Sequence, residues 1–107
     1  MDIRKLKVAV SEQYSDDLKN IFQYGLETFG YTGALLFYDN IEKLVFEQIP
    51  NMDNPFLYKD LKSMQGYHGF YKIRAGNYRI GIYINQKSKR FEFCRILLRK
   101  DIYRYFP

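Results

Sequence analysis

Five cations in the second half of the chain have the chemistry to hold a phosphate: Lys72, Arg74, Arg79, Arg95 and Arg99. Guanidinium groups offer a planar fork that matches two phosphate oxygens, and an ammonium adds a compact point charge. They fall in stretches of alternating apolar and polar residues, where successive side chains point to opposite sides. Lys72 and Arg74 share a side of Phe70–Arg74. Arg79 and Tyr83 share a side of Tyr78–Asn85, and Arg95 and Arg99 share a side of Phe91–Arg99 with Phe91, Phe93 and Leu97. Lys5 and Lys7 occupy the polar side of a further alternating stretch, Lys5–Val10. One sheet face would therefore gather seven cations around Tyr83, a ring able to stack on an unpaired base. Like charges brought this close repel by on the order of 1 kcal/mol or more per pair at surface dielectric. Glu92 is the only acid in the three later strands, and its parity sends it to the other side. The natural compensation is a polyanion, a phosphate backbone or an acidic partner segment. The competing structural reading packs Phe91, Phe93 and Leu97 under the C-terminal turn, with the arginines lying along them and their heads in water.

The elements that must position these groups follow from periodicity. Leu6, Val8 and Val10 mark the apolar side of a first strand. Ser11 is placed to cap a helix whose stripe is Tyr14, Leu18, Ile21, Phe22, Leu26 and Phe29, with Gly30 as its stop. Thr32 is placed to cap a second helix with the stripe Ala34, Phe37, Tyr38, Ile41, Leu44 and Val45, ending before Pro50. The short junction predicts an antiparallel helical hairpin. Asn51–Gly69 reads as a linker, and its piece Phe56–Met64 fits a helical turn or an extended stretch equally. Ala75-Gly76-Asn77 is a tight turn between strands, Gln86–Arg90 a polar turn, and Lys100–Phe106 a helical turn. The predicted fold class is α+β in the order βααβββ, with the helical hairpin on one face of a mainly antiparallel four-stranded sheet. Tyr71, Ile73, Ile80, Ile82, Ile84, Cys94, Ile96 and Leu98 make that face apolar, and Cys94 reads as a small core residue. His68 reads as an exposed turn residue.

Length and composition narrow the classes. The 107 residues suit one domain, 1–107, and 47% hydrophobic with 27% charged residues argues against disorder. Aromatics are abundant at 19%, all of them Tyr and Phe. No apolar run approaches the ~20 residues that cross a bilayer, and Met1–Val10 lacks the pattern of a secretory signal. One cysteine and one histidine offer neither a disulfide nor zinc-ligand spacing, so a cytoplasmic domain without metal or cofactor is expected. Charge is divided: residues 1–53 carry five basic against nine acidic side chains, and residues 54–107 carry twelve against three. That asymmetry supports a polyanion at the C-terminal half.

The run Phe70-Tyr71-Lys72-Ile73-Arg74-Ala75-Gly76-Asn77-Tyr78-Arg79-Ile80 resembles the strand–turn–strand signature of RelE/ParE-type toxins from bacterial toxin–antitoxin pairs. Arg99-Lys100-Asp101-Ile102-Tyr103 resembles that family's closing motif, and Val8-Ala9-Val10-Ser11 with Leu18 and Ile21 its looser opening. The resemblance spans essentially the whole chain and implies the same βααβββ order. For the RelE branch it implies cleavage of translated mRNA without a metal. The ribose 2′-hydroxyl attacks the adjacent phosphate and leaves a 2′,3′-cyclic phosphate and a 5′-hydroxyl. By matched position, Lys72 and Arg74 are the basic pair, Arg79 a phosphate clamp, Arg99 a stabiliser of transition-state charge, and Tyr103 the group that stacks on or orients the nucleotide. Lys5, Lys7, Tyr83 and Arg95 would extend the RNA-binding surface. The implied partners are a cognate antitoxin, mRNA and the ribosome, with no membrane.

Two departures bear on the chemistry. Leu98 stands where many relatives have His, and Arg74 stands where some have Lys. An arginine cannot serve as a base, which leaves Lys72 or Tyr103 for proton transfer. Arg95-Ile96-Leu97-Leu98-Arg99 also resembles a ParE-branch strand. The alternatives are accordingly a toxin that inhibits DNA gyrase by binding, without nuclease activity, or a non-toxic homologue that only binds antitoxin.

Overall fold

The structure is a computed structural model and describes residues 7–107. Lys5 and Leu6 lie outside the described residues. The first strand, β1 (Lys7–Val10), leads into helix α1 (Glu12–Phe29), helix α2 (Tyr31–Lys43) and a wider π turn over Leu44–Gln48. A 3-10 turn at Pro55–Leu57 precedes strand β2 (Leu61–Ser63). Strands β3 (Phe70–Ala75), β4 (Tyr78–Asn85) and β5 (Arg90–Leu98) follow, and a single turn, α3 (Ile102–Tyr105), closes the chain. Among the described residues no helix is long and apolar enough to cross a membrane.

Local chemistry explains the boundaries. The Ser11 Oγ accepts from the Tyr14 N–H at 2.9 Å, capping α1, and donates to the Cys94 carbonyl at 2.6 Å, tying the helix start to β5. Gly30 takes φ 85°, a left-handed value that turns the chain directly from α1 into α2. The second helix therefore starts at Tyr31, and Thr32 lies inside its first turn rather than at its cap.

The sheet has five strands in the order β1-β5-β4-β3-β2, with β1 parallel to β5 and all other neighbours antiparallel. The α+β class and the hairpin-on-sheet layout match expectation, and the additional strand is β2. It comes from the undecided piece Phe56–Met64, which holds both a helical turn and an extended stretch. One sheet face carries the main core, where Ile73, Ile80, Ile82, Ile84 and Ile96 bury against Tyr14, Leu18, Ile41, Val45 and Ile49 of the helical layer. The exposed acids of that layer, Glu12, Asp16, Glu27, Asp39 and Glu47, face solvent.

A β-bulge reverses part of the predicted parity. Ile82 pairs with Phe93 while Gly81 pairs with Arg95, so Cys94 is a surplus residue in β5. One extra residue moves everything on one side of it to the opposite face. Phe91 and Phe93 consequently enter the main core instead of joining the cations. Glu92 lies opposite Tyr83, and Cys94 moves beneath the C-terminal turn rather than facing the helices. There Met64, Ile102 and Phe106 form a second, smaller core with Phe70, Cys94 and Leu97 packed against it. Burial, and then Glu92, pushes the Cys94 thiol up to about 11, consistent with an inert packed side chain.

Candidate nucleic-acid interface

The second sheet face is divided between this small core and a cleft. The register across β2, β3 and β4 sets the cleft floor as two rungs. In one rung Lys62 lies opposite Lys72, which lies opposite Gly81; in the next, Arg74 lies opposite Arg79. Asp60 precedes β2, and its carbonyl accepts from the Arg74 N–H at 3.3 Å, which continues the second rung to the sheet edge. The wall is α3, seated by Ile102 and by Phe106. The Phe106 ring lies on β4 where Gly81 has no side chain; a Cβ there would come within 2.6 Å of it. The resulting cleft has a volume of about 410 Å³ and is lined by Asp60, Lys62, Lys72, Arg74, Arg79, Arg99, Ile102 and Tyr103.

Specific contacts place Arg79, the backbone of Arg99 and Lys72. The Arg79 Nη1 donates to the carbonyls of Gly76 and Tyr78, at 3.0 and 2.9 Å, which fixes the guanidinium against the β3–β4 turn. The Arg99 N–H donates to the Asn77 carbonyl at 2.9 Å, bringing the end of β5 to the same turn. The Lys72 Nζ sits 4.1 Å from the centre of the Tyr103 ring, a cation–π contact that holds the wall to the floor. Tyr103 is nonetheless 65% exposed, so much of its ring is open to the cleft mouth.

Electrostatics records the crowding. Burial, and after it the Arg79 charge, lowers the Lys72 ammonium below the ordinary lysine range. Burial, followed by Arg74 and Arg99, also lowers Arg79, with Asp60 acting in the opposite sense. Desolvation and like charge both disfavour a cation, so the cleft is a place where charge is held against repulsion. An arriving anion offsets the repulsion and compensates for the lost hydration.

Lys72, Arg74, Arg79, Arg99 and Tyr103 thus converge, while the other anticipated residues do not. Lys7 is exposed on β1, at the opposite edge of the sheet from β2. Tyr83 is half-buried and packs on Phe70, ring centres 5.0 Å apart, beside the small core. Arg95 is removed from the cationic set by a carboxylate. Its Nε donates to Asp17 Oδ2 at 2.8 Å and its Nη2 to Oδ1 at 3.3 Å, with the Ile96 N–H also donating to Oδ2 at 2.9 Å. The cause is that β1 pairs with β5 only as far as Val10 and Phe93, leaving an open edge beyond the bulge that α1 fills with Asp17. The hydrogen bonds that Arg95 donates to Asp17 are the main reason its guanidinium is shifted up. Conversely, sequence reasoning did not place Asp60 and Lys62 in the site. No local signal marked them, since Leu61, Lys62, Ser63 and Met64 run apolar, polar, polar, apolar rather than alternating.

A small α+β sheet protein with a cationic cleft walled by an aromatic turn is thereby defined. No protein-family model matches the chain. It is 47% identical over 66 residues to toxin RelE3 of Methanocaldococcus jannaschii, an overlap covering 61% of this chain and 73% of that protein. Its fold is similar to the RelB–RelE antitoxin–toxin complex of Methanococcus jannaschii, with TM-score 0.64 and 34% identity over 92% of this chain and 99% of that one. It also matches a chain of the chromosomal ParDE system of P. aeruginosa, with TM-score 0.68 over 89% of this chain and 97% of that one. At 13% identity, that match shows the shared fold alone. The chain belongs to the RelE family of toxins from toxin–antitoxin pairs.

Proposed function

We propose that this toxin is an mRNA interferase that cuts messages during translation and is silenced by a cognate antitoxin. The observation that carries the reading is the convergence of Lys72, Arg74, Arg79 and Arg99 on one cleft with Tyr103 at its wall. Cleavage of RNA by its own 2′-hydroxyl needs pre-oriented positive charge where the pentacovalent phosphorus gathers negative charge. Arg79, fixed by two carbonyls, clamps the scissile phosphate, and Arg74 on the neighbouring strand shares its oxygens. Arg99 meets the charge that develops in the transition state. Tyr103 stacks on the attacked nucleotide with the part of its ring that Lys72 leaves free. Lys72, with its proton held less tightly than in an ordinary lysine, supplies a proton to the departing 5′-oxygen. An antitoxin segment rich in acids and apolar residues suits the same cleft, since it would neutralise the cations and cover Tyr103.

Primer-extension mapping of transcripts after induced expression tests this. Discrete breaks inside translated codons support the nuclease. Intact messages accompanied by stalled gyrase–DNA complexes refute it in favour of gyrase inhibition. Arg79→Ala and Arg99→Ala should fold normally and lose growth arrest; full toxicity in either variant would remove that residue from the mechanism.

A further inference from the structure

The cleft described above is rich in proton donors and poor in acceptors. At neutral pH an ammonium, a guanidinium and a phenol all hold their protons, whereas a carboxylate is ready to accept one. Attack by a 2′-hydroxyl requires that its proton go somewhere as the new bond to phosphorus forms. Asp60 is the one carboxylate that lines the cleft. It stands at the sheet edge on the rung of Arg74 and Arg79, next to Lys62 and half-buried. These three cations share the cleft lining with it, Lys59 precedes it in the chain, and the Tyr58 phenol is near enough that Asp60, after burial, pushes it up. Among the described residues the only ion pair within 4 Å is Arg95–Asp17, so Asp60 is not tied to a neighbouring guanidinium and its oxygens remain available.

We infer that Asp60 is the general base of this site. The inference rests on the nuclease reading and supplies the step that reading lacks. Asp60 takes the proton of the 2′-hydroxyl as that oxygen bonds to phosphorus. The bond from phosphorus to the 5′-oxygen breaks, and the 5′-oxygen takes a proton from the Lys72 ammonium. The products are a 2′,3′-cyclic phosphate and a 5′-hydroxyl, and the proton on Asp60 returns to Lys72 through solvent. Arg74 and Arg79, one and two strands inward from Asp60, would hold the phosphate beside it, with Lys72 on the next rung of β3.

The test is single-turnover cleavage of a short synthetic mRNA on programmed ribosomes, with binding measured separately. Asp60→Asn is expected to slow cleavage by about 100-fold or more, the usual contribution of a positioned base. Binding should hold or tighten, because the variant removes an anion from beside the phosphate site. Asp60→Glu, which retains the carboxylate, should recover most of the rate. The acid limb of the pH–rate profile present in wild type should disappear in Asp60→Asn. Cleavage by Asp60→Asn within threefold of wild type overturns the assignment. So does a parallel loss of binding and cleavage, or a Glu variant as slow as the Asn one. A wild-type protein that cuts no message overturns the nuclease reading itself, and does so before any variant is compared.

Discussion

Replacing Gly81 with alanine tests whether the C-terminal turn is held where the cleft needs it. The new methyl would lie 2.6, 2.7 and 2.8 Å from three carbons of the Phe106 ring. Carbon atoms settle at roughly 3.5 to 4.0 Å, so the ring must retreat by about 1 Å. It has little room, being boxed by Phe70, with ring centres 5.7 Å apart, and by the buried Met64 and Ile102. Overpacking of this kind costs about 1–3 kcal/mol, and removing a glycine from a strand returns about 0.5–1 kcal/mol of it. A net loss of about 1–2 kcal/mol corresponds to a fall in Tm of roughly 5–10 °C for a domain of this size. Tyr103 lies on the short helix that Phe106 directly follows, three residues before it, so the displacement also lifts its ring from Lys72. Calorimetry of the purified variant, paired with growth arrest on induction, reads both effects. A variant melting within 1 °C of wild type and arresting growth fully would refute the reasoning that seats the wall on Gly81.

Asp17→Ala leaves the Arg95 guanidinium and the Ile96 N–H without their acceptor at a half-buried site, and should cost about 2–3 kcal/mol in denaturant unfolding. Removal of that carboxylate should leave the cleft residues in place, so growth arrest should persist where the variant stays folded. Glu42 is raised above the ordinary carboxylate range by burial first and Asp39 second, so the fold disfavours its ionised form. Its contribution is therefore adverse above the folded pKa and fades as pH falls through that value toward the unfolded one. Glu42→Gln should accordingly stabilise the protein at neutral pH by less than about 1 kcal/mol, a solvated group being discounted for screening, and the gain should vanish in acid melts. Inorganic sulfate, a phosphate-like anion, should raise the Tm through the cleft, by the equivalent of about 1.4 kcal/mol at ten times its Kd; Arg79→Ala should lose most of that rise.

The elements that periodicity could announce were legible. Both helices and β3, β4 and β5 carry long alternating or helical stripes, and the five convergent site residues sit on them or on the turn that follows. What escaped was set by contacts distant in sequence. Three residues, Leu61–Ser63, with a single buried apolar side chain carry no period of their own and become a strand only by pairing with β3. The bulge at Cys94 has no marker in the residues of β5, yet it decides that Phe91 and Phe93 are core and that Cys94 is not. Arg95 looked like a cleft cation because Asp17 is 78 residues away and its role follows from where β1 stops. Asp60 and Lys62 were hidden with the strand they flank and occupy.

The acids along the outer side of the helices and the cations of the cleft lie on opposite layers of the molecule. Such a separation makes the whole domain an electric dipole, which turns in the field of a charged partner before any contact is made. A nucleic acid drawing near would be met cleft first, and the helical back would be repelled. Encounter orientation would then be decided at about a Debye length, some 8–10 Å out at ordinary ionic strength, and should weaken as salt is added.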